Sequence, residues 1–181
     1  MKEYEEKAIS DIQGTIIDIE TIGDFKNIYR DSRRYKNILS VIFGYMDDER
    51  LHIYCTTGKS EIQEFKMTIK NILRKLNNPF YAFNVEFETC VFYHHLGIEE
   101  IFERELNLEK YEKKSNAIRM LNIPNYDDPF HDNGLLCKIA WENSEFDKAV
   151  AHNRACLLKE RDILLKRGFR TPDRIKLTNS E

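Results

Sequence analysis

The chain has few of the residues that staple, break or anchor a fold. Its four cysteines, Cys55, Cys90, Cys137 and Cys156, stand far apart among 181 residues, with no Cys-x-x-Cys pair. That spacing points away from a disulfide-dense scaffold and from a paired-cysteine zinc knuckle, and the thiols read as reduced, buried small hydrophobes. Long apolar runs are also missing: none approaches the roughly 20 residues that a membrane span needs. The N-terminus, MKEYEEKAIS, is polar and acidic, unlike a signal peptide with its basic start and apolar centre. These absences lead us to expect a cytoplasmic protein without membrane contact. No internal repeat or low-complexity stretch is evident. An excess of positive charge is lacking too, since the formal net charge is -3. This speaks against binding nucleic acid through the whole surface, because neutralising phosphates leaves a basic footprint.

What is present fits a globular domain. Hydrophobic residues make up 41% and charged residues 33%, a balance unlike that of disordered or membrane chains. The length allows one domain, 1–181, with a short basic tail from about residue 167. Positive charge is concentrated locally: Lys26, Arg30, Arg33, Arg34 and Lys36 face Asp31 alone between residues 26 and 36, and 159 to 176 is rich in Lys and Arg. Each stretch is either a basic patch or an ordinary solvated face.

Residues 14 to 19 form a short β-branched run that predicts a buried strand ending in acids. Residues 38 to 46 and 50 to 56 predict two strands of an antiparallel hairpin turning at Asp47, Asp48 and Glu49. From Ser60, a candidate N-cap, apolar residues recur every three or four positions through Leu76, as an amphipathic helix requires. Phe80 to Phe83 predicts a strand leading to Asn84, followed by a helix from about 86 to 96. Phe102 to Leu108 is a candidate strand and 111 to 121 a candidate charged helix. Asp127, Asp128, Pro129, Asn133 and Gly134 mark loops, and a long helix runs from about Phe146 to Lys166. The expected class is α/β: a mixed sheet, antiparallel meander plus parallel strands, flanked by helices.

Asp18 and Glu20 are two apart at the end of a strand, so both carboxylates lie on one face of the sheet. A divalent cation relieves such repulsion, and hard oxygen ligands suit magnesium or manganese. Strand-end acids are also common as plain loop residues. Glu88 follows a second buried strand and opens a helix, near where ligands gather in open α/β sheets. Asn84 reads equally as a helix cap or a functional residue. On the last helix His152, Cys156 and Glu160 are spaced four apart and share a face; a histidine there suits proton transfer from water, or a purely structural role.

These pieces resemble the DEDD-type 3′-5′ exonucleases, a ribonuclease H-like group, over roughly residues 14 to 166. Ile16-Ile17-Asp18-Ile19-Glu20-Thr21 is similar to the first motif, and Ala82-Phe83-Asn84-Val85-Glu86-Phe87-Glu88 to the second, with Glu88 where Asp is usual. Trp141 and then His152-Asn153-Arg154-Ala155-Cys156-Leu157-Leu158 resemble the third motif of a predicted-exonuclease subgroup. Cys156 there replaces the expected Asp, and a thiol is a poor magnesium ligand.

The resemblance implies a ribonuclease H-like fold and hydrolysis of phosphodiesters at the end of single-stranded DNA or RNA. One or two Mg2+ or Mn2+ ions would be held by Asp18, Glu20 and Glu88 with Cys156 or Glu160. His152 would be the general base, and Arg30, Arg33, Arg34, Asn84 and Asn153 are candidates for contacting the nucleic acid. Two competitors stand beside it. One is a weakened nuclease fold that binds nucleic acid or a protein without cleaving, which Cys156 favours; the other is a ribonuclease H-like endonuclease or transposase-related domain.

Overall fold

A computed structural model describes residues 1–99, 101–110 and 112–179. Its elements are β1 (Lys2–Lys7), β2 (Thr15–Ile22), β3 (Leu39–Met46), β4 (Arg50–Cys55), α1 (Ile62–Leu73), β5 (Phe80–Ala82), α2 (Val85–Val91), β6 (Arg104–Glu105), α3 (Lys114–Met120), α4 (Gly134–Glu142) and α5 (Phe146–Arg167). The strands form one mixed sheet in the order β1-β4-β3-β2-β5-β6. β2, β3 and β4 make the expected antiparallel meander, while β5 and β6 add in parallel through helical crossovers.

Strand alternation divides the core in two. Ile17 and Ile19 of β2 pack with Phe43, Phe65, Ile69, Val91 and Phe92 on the α1 and α2 side. Ile16 faces the other way, into a cluster with Ile42, Ile53, Trp141, Leu157 and Ile163 under α4 and α5. Asp18 and Glu20 have the parity of Ile16, so they emerge beneath α5. That helix lies close to the sheet at Gly44, the register partner of Asp18. A Cβ at Gly44 would lie 2.1 Å from Asn153 Oδ1 and 2.8 Å from Leu157 Cδ1, so only glycine permits the approach.

Several boundaries differ from the sequence reading, each for a local reason. β1 was not anticipated: Lys-Glu-Tyr-Glu-Glu-Lys has no apolar alternation because it is a charged edge strand on β4. The stretch 102 to 108 contributes only the two-residue β6, and the charged helix spans Lys114–Met120; Tyr111 lies outside the described residues. Asn133 and Gly134 are not merely a loop. Asn133 caps α4, its side chain accepting from the Leu135 N–H, and Gly134 is the first helical residue. Ser60 does not cap α1; it sits inside a short 3-10 turn, Lys59–Glu61, that leads into the helix. The basic tail is docked: Arg170 bridges to Glu105 through the backbone, and Thr178 N–H donates to Ser32 Oγ at 2.8 Å. Among the described residues, no helix is long and apolar enough to cross a membrane.

Candidate metal centre

The three motif segments converge under α5. Asp18 is buried, and its position is fixed by Asn153, whose amide donates to Asp18 Oδ2 at 2.8 Å and to the Asp18 carbonyl at 3.3 Å. Asn153 is therefore fully enclosed and positions Asp18; its side chain does not face a nucleic-acid surface. Glu88, in α2, is buried, and repulsion from Asp18 and Glu160 is felt at its carboxyl. Asn84 caps α2 by accepting from the Phe87 N–H at 3.4 Å, the structural alternative of its two readings. Phe87 itself packs edge-on against Phe25 and Tyr35.

One cation already stands among these acids. Lys114, the first residue of α3, places Nζ 2.9 Å from Asp18 Oδ1 and 2.5 Å from Glu160 Oε1. Sequence reading missed it, because nothing in a charged helix marks one lysine as turning inward. Burial pushes the Glu88 and Glu160 carboxyls well above the ordinary range, Asp18 adds repulsion, and Lys114 only partly opposes the rise. Glu88 Oε2 is buried and, among the described residues, has no hydrogen-bond partner.

The other half of the centre is made of different atoms. His152 Nε2 lies 3.6 Å from Glu20 Oε1 and 3.8 Å from Cys156 Sγ. Its Nδ1 is 2.7 Å from Asp128 Oδ1. Asp128 is held in turn by Lys159 Nζ at 2.7 Å and by the backbone N–H groups of Phe130 and Asp132. Burial disfavours its charge, yet the bonds from His152 and Lys159 outweigh that and keep its pKa well below the usual carboxylate range. Tyr126, Asp127, His131 and Asp132 all have positive φ around it, at 55°, 58°, 49° and 67°. Such residues cost about 1 kcal/mol or more apiece, so the loop that presents Asp128 is strained and fastened by fully buried Lys159. The sequence placed Asp128 in a loop, and only the fold connects it to His152.

Asp18, Glu20 and Cys156 offer ligand atoms within 4.8 Å of one another, and so do Glu20, Cys137 and His152. Burial pushes the Cys156 thiol up to about 11, with Lys114 acting against the rise. Burial likewise raises Glu20 to about 7, against the pull of His152. His152 is driven above its ordinary value: burial opposes its charge, but Glu20, Cys156 and Asp128 prevail. A cavity of about 390 Å3 reaches Glu20 past Gly134, Leu135 and Lys138.

The basic segment contributes to a different cleft. Arg30 and Arg34 are exposed and line a cleft of about 340 Å3 with Asn84, Glu86, Arg170 and Arg174. Arg33 pairs with Asp31 at 2.7 Å and stacks over Tyr29 at 4.4 Å. The cleft thus mixes both charge signs and takes in the start of α2, at Asn84 and Glu86. No family model, curated protein or solved structure matches the chain.

Proposed function

We propose that the chain is a metal-dependent nuclease of ribonuclease H-like architecture, a 3′-5′ exonuclease acting on the end of single-stranded DNA or RNA. The observation that carries this reading is the convergence of Asp18, Glu20, Glu88 and Glu160 from three distant segments beside His152. The mixed sheet, with β2 central and β5 parallel to it, supports the same architecture.

The donor set fits a divalent cation at its carboxylate half: among the described residues, Glu88 Oε2 is buried without a partner, and Asp18 and Glu160 share Lys114 as a counter-charge. Asp18, Glu20 and Glu88, with Cys156 or Glu160, would hold Mg2+ or Mn2+, which supplies neutralisation of charge on the attacking and leaving oxygens. The chain's own groups do the rest. Asp128 accepts the Nδ1–H of His152 and aims Nε2 at Glu20; once the charge of Glu20 is offset by a bound cation, the neutral ring can take a proton from the attacking water at Nε2. Asn153 keeps Asp18 aimed into the pocket. Exposed Arg30 and Arg34 offer their guanidinium groups to backbone phosphates.

A second reading, nucleic-acid binding without cleavage, is favoured by two features: the Lys114 ammonium among the carboxylates, and the neutral thiol of Cys156. Incubation with 5′-labelled single-stranded DNA and RNA plus Mn2+ separates the two. Progressive shortening that Asp18→Ala abolishes supports the exonuclease. Retention in a gel shift without shortening supports the binding module, and cutting of a circular substrate shows an endonuclease instead.

A further inference from the structure

We infer that Glu20, Cys137 and His152 form a site for one borderline-soft transition-metal ion of the zinc class, overlapping the carboxylate centre. The inference rests on reading this pocket as a cation site, and not on hydrolysis. It departs from the magnesium or manganese reading because of the atoms available. One carboxylate oxygen, one sulfur and one imidazole nitrogen lie within 4.8 Å of one another. Hard cations with oxygen preferences have no use for the last two, whereas zinc takes all three donor types, at about 2.0 to 2.3 Å. Cys156 Sγ, 3.8 Å from the same Nε2, offers a fourth ligand. Without it the ion keeps an open position, as three-ligand zinc sites do.

An independent feature outside the ligand set points the same way. Metal-binding histidines typically give their second ring N–H to a carboxylate, which fixes the tautomer and aims the free nitrogen. Here Asp128 does this at 2.7 Å, fully buried and anchored by Lys159. The other ring nitrogen of His152, Nε2, faces Glu20 and Cys156. Charge also favours this half. Lys114 already compensates Asp18 and Glu160, while Glu20 and a deprotonated Cys137 would balance a divalent ion with a neutral imidazole. The Cys137 S–H bond is then replaced by S–metal, and its proton passes to solvent. Cys137 lies one turn into α4, the helix whose first residues, Gly134 and Leu135, line the cavity with Glu20.

Zinc in this position would occupy the Nε2 lone pair assigned above to proton transfer, so it would inhibit Mn2+-supported hydrolysis. The primary test does not depend on that activity. The full chain, stripped with chelator, is loaded with one equivalent of Zn2+ and its local structure is read by X-ray absorption. A sulfur scatterer at about 2.3 Å is expected. Titration with Co2+ should give thiolate-to-cobalt charge-transfer absorption that Cys137→Ser weakens or removes and Cys55→Ser, on β4, leaves intact. A zinc shell of nitrogen and oxygen only, or a charge-transfer band unchanged in folded Cys137→Ser, overturns the proposal. The absorption experiment is repeated on Cys156→Ser, in which a remaining sulfur scatterer must be Cys137, so it stays decisive if Cys137→Ser fails to fold. A sulfur-containing shell in a chain that cleaves nothing would uphold the site while refuting the nuclease reading.

Discussion

Lys114→Met removes the ammonium between Asp18 and Glu160 while keeping a side chain of similar length. Coulomb attraction at an effective dielectric of about 20 is roughly 6 kcal/mol for a contact near 2.9 Å, before desolvation. Desolvation of the lysine offsets much of this, and breaking one partner of a buried pair typically costs about 3 kcal/mol or more because the other charge is left uncompensated. In a domain of this size that corresponds to a fall in Tm of about 6 to 12 °C. The loss should depend on conditions. At acidic pH the orphaned carboxyls take up protons and the deficit shrinks; with Mn2+ present an ion replaces the ammonium and restores stability. The same variant should bind Mn2+ about tenfold or more tightly, since no ammonium need be displaced from Asp18. Thermal melts of both proteins, with chelator and with Mn2+, at two pH values read all of this. An equal loss under every condition would refute the reasoning and reduce Lys114 to an ordinary packing residue.

Three further outcomes follow from the same geometry. Cys156→Asp places a hard oxygen donor between Asp18 and Glu20, and should raise both Mn2+ affinity by calorimetry and hydrolysis of labelled DNA; no change in either removes Cys156 from the metal shell. Gly44→Ala drives a methyl group into Asn153 and Leu157 and should cost about 1 to 3 kcal/mol in urea unfolding; a neutral result would mean that α5 does not approach the sheet as described. Because burial raises the carboxyls of Glu20, Glu88 and Glu160 above 4.5, the metal-free fold holds more protons than the unfolded chain. Its stability should therefore be greatest below that range and decline as pH rises, passing through about 7 for Glu20. His152, whose pKa is raised, acts in the same direction, whereas the contribution of Asp128 is lost only in strong acid. Melts in chelator that stay flat or rise between pH 5 and 8 would contradict this.

The sequence by itself determined the elements with strong periodicity and the faces they present. The β-branched run at 14–19 could alternate in only one way, so Asp18 and Glu20 had to share a face of the strand that the structure extends to Ile22, and the four-residue spacing of His152, Cys156 and Glu160 had to align them along α5. Residues whose roles come from partners far along the chain were not legible. Lys114 and Lys159 are lysines in charged surroundings, Asp128 is one loop acid among several, and Cys137 is an isolated thiol. Their meaning arises only when α3, α4 and the 122–133 loop fold back over β2 and α5, taking charges out of water and forcing each to find a counterpart. Tertiary structure also reassigned Asn153 from the surface to the interior, because Gly44 lets the helix come close enough for its amide to grip Asp18. Periodicity fixes a side chain's direction relative to its own element; what stands opposite is decided by packing, and here packing set an ammonium among acids and thiols beside a histidine.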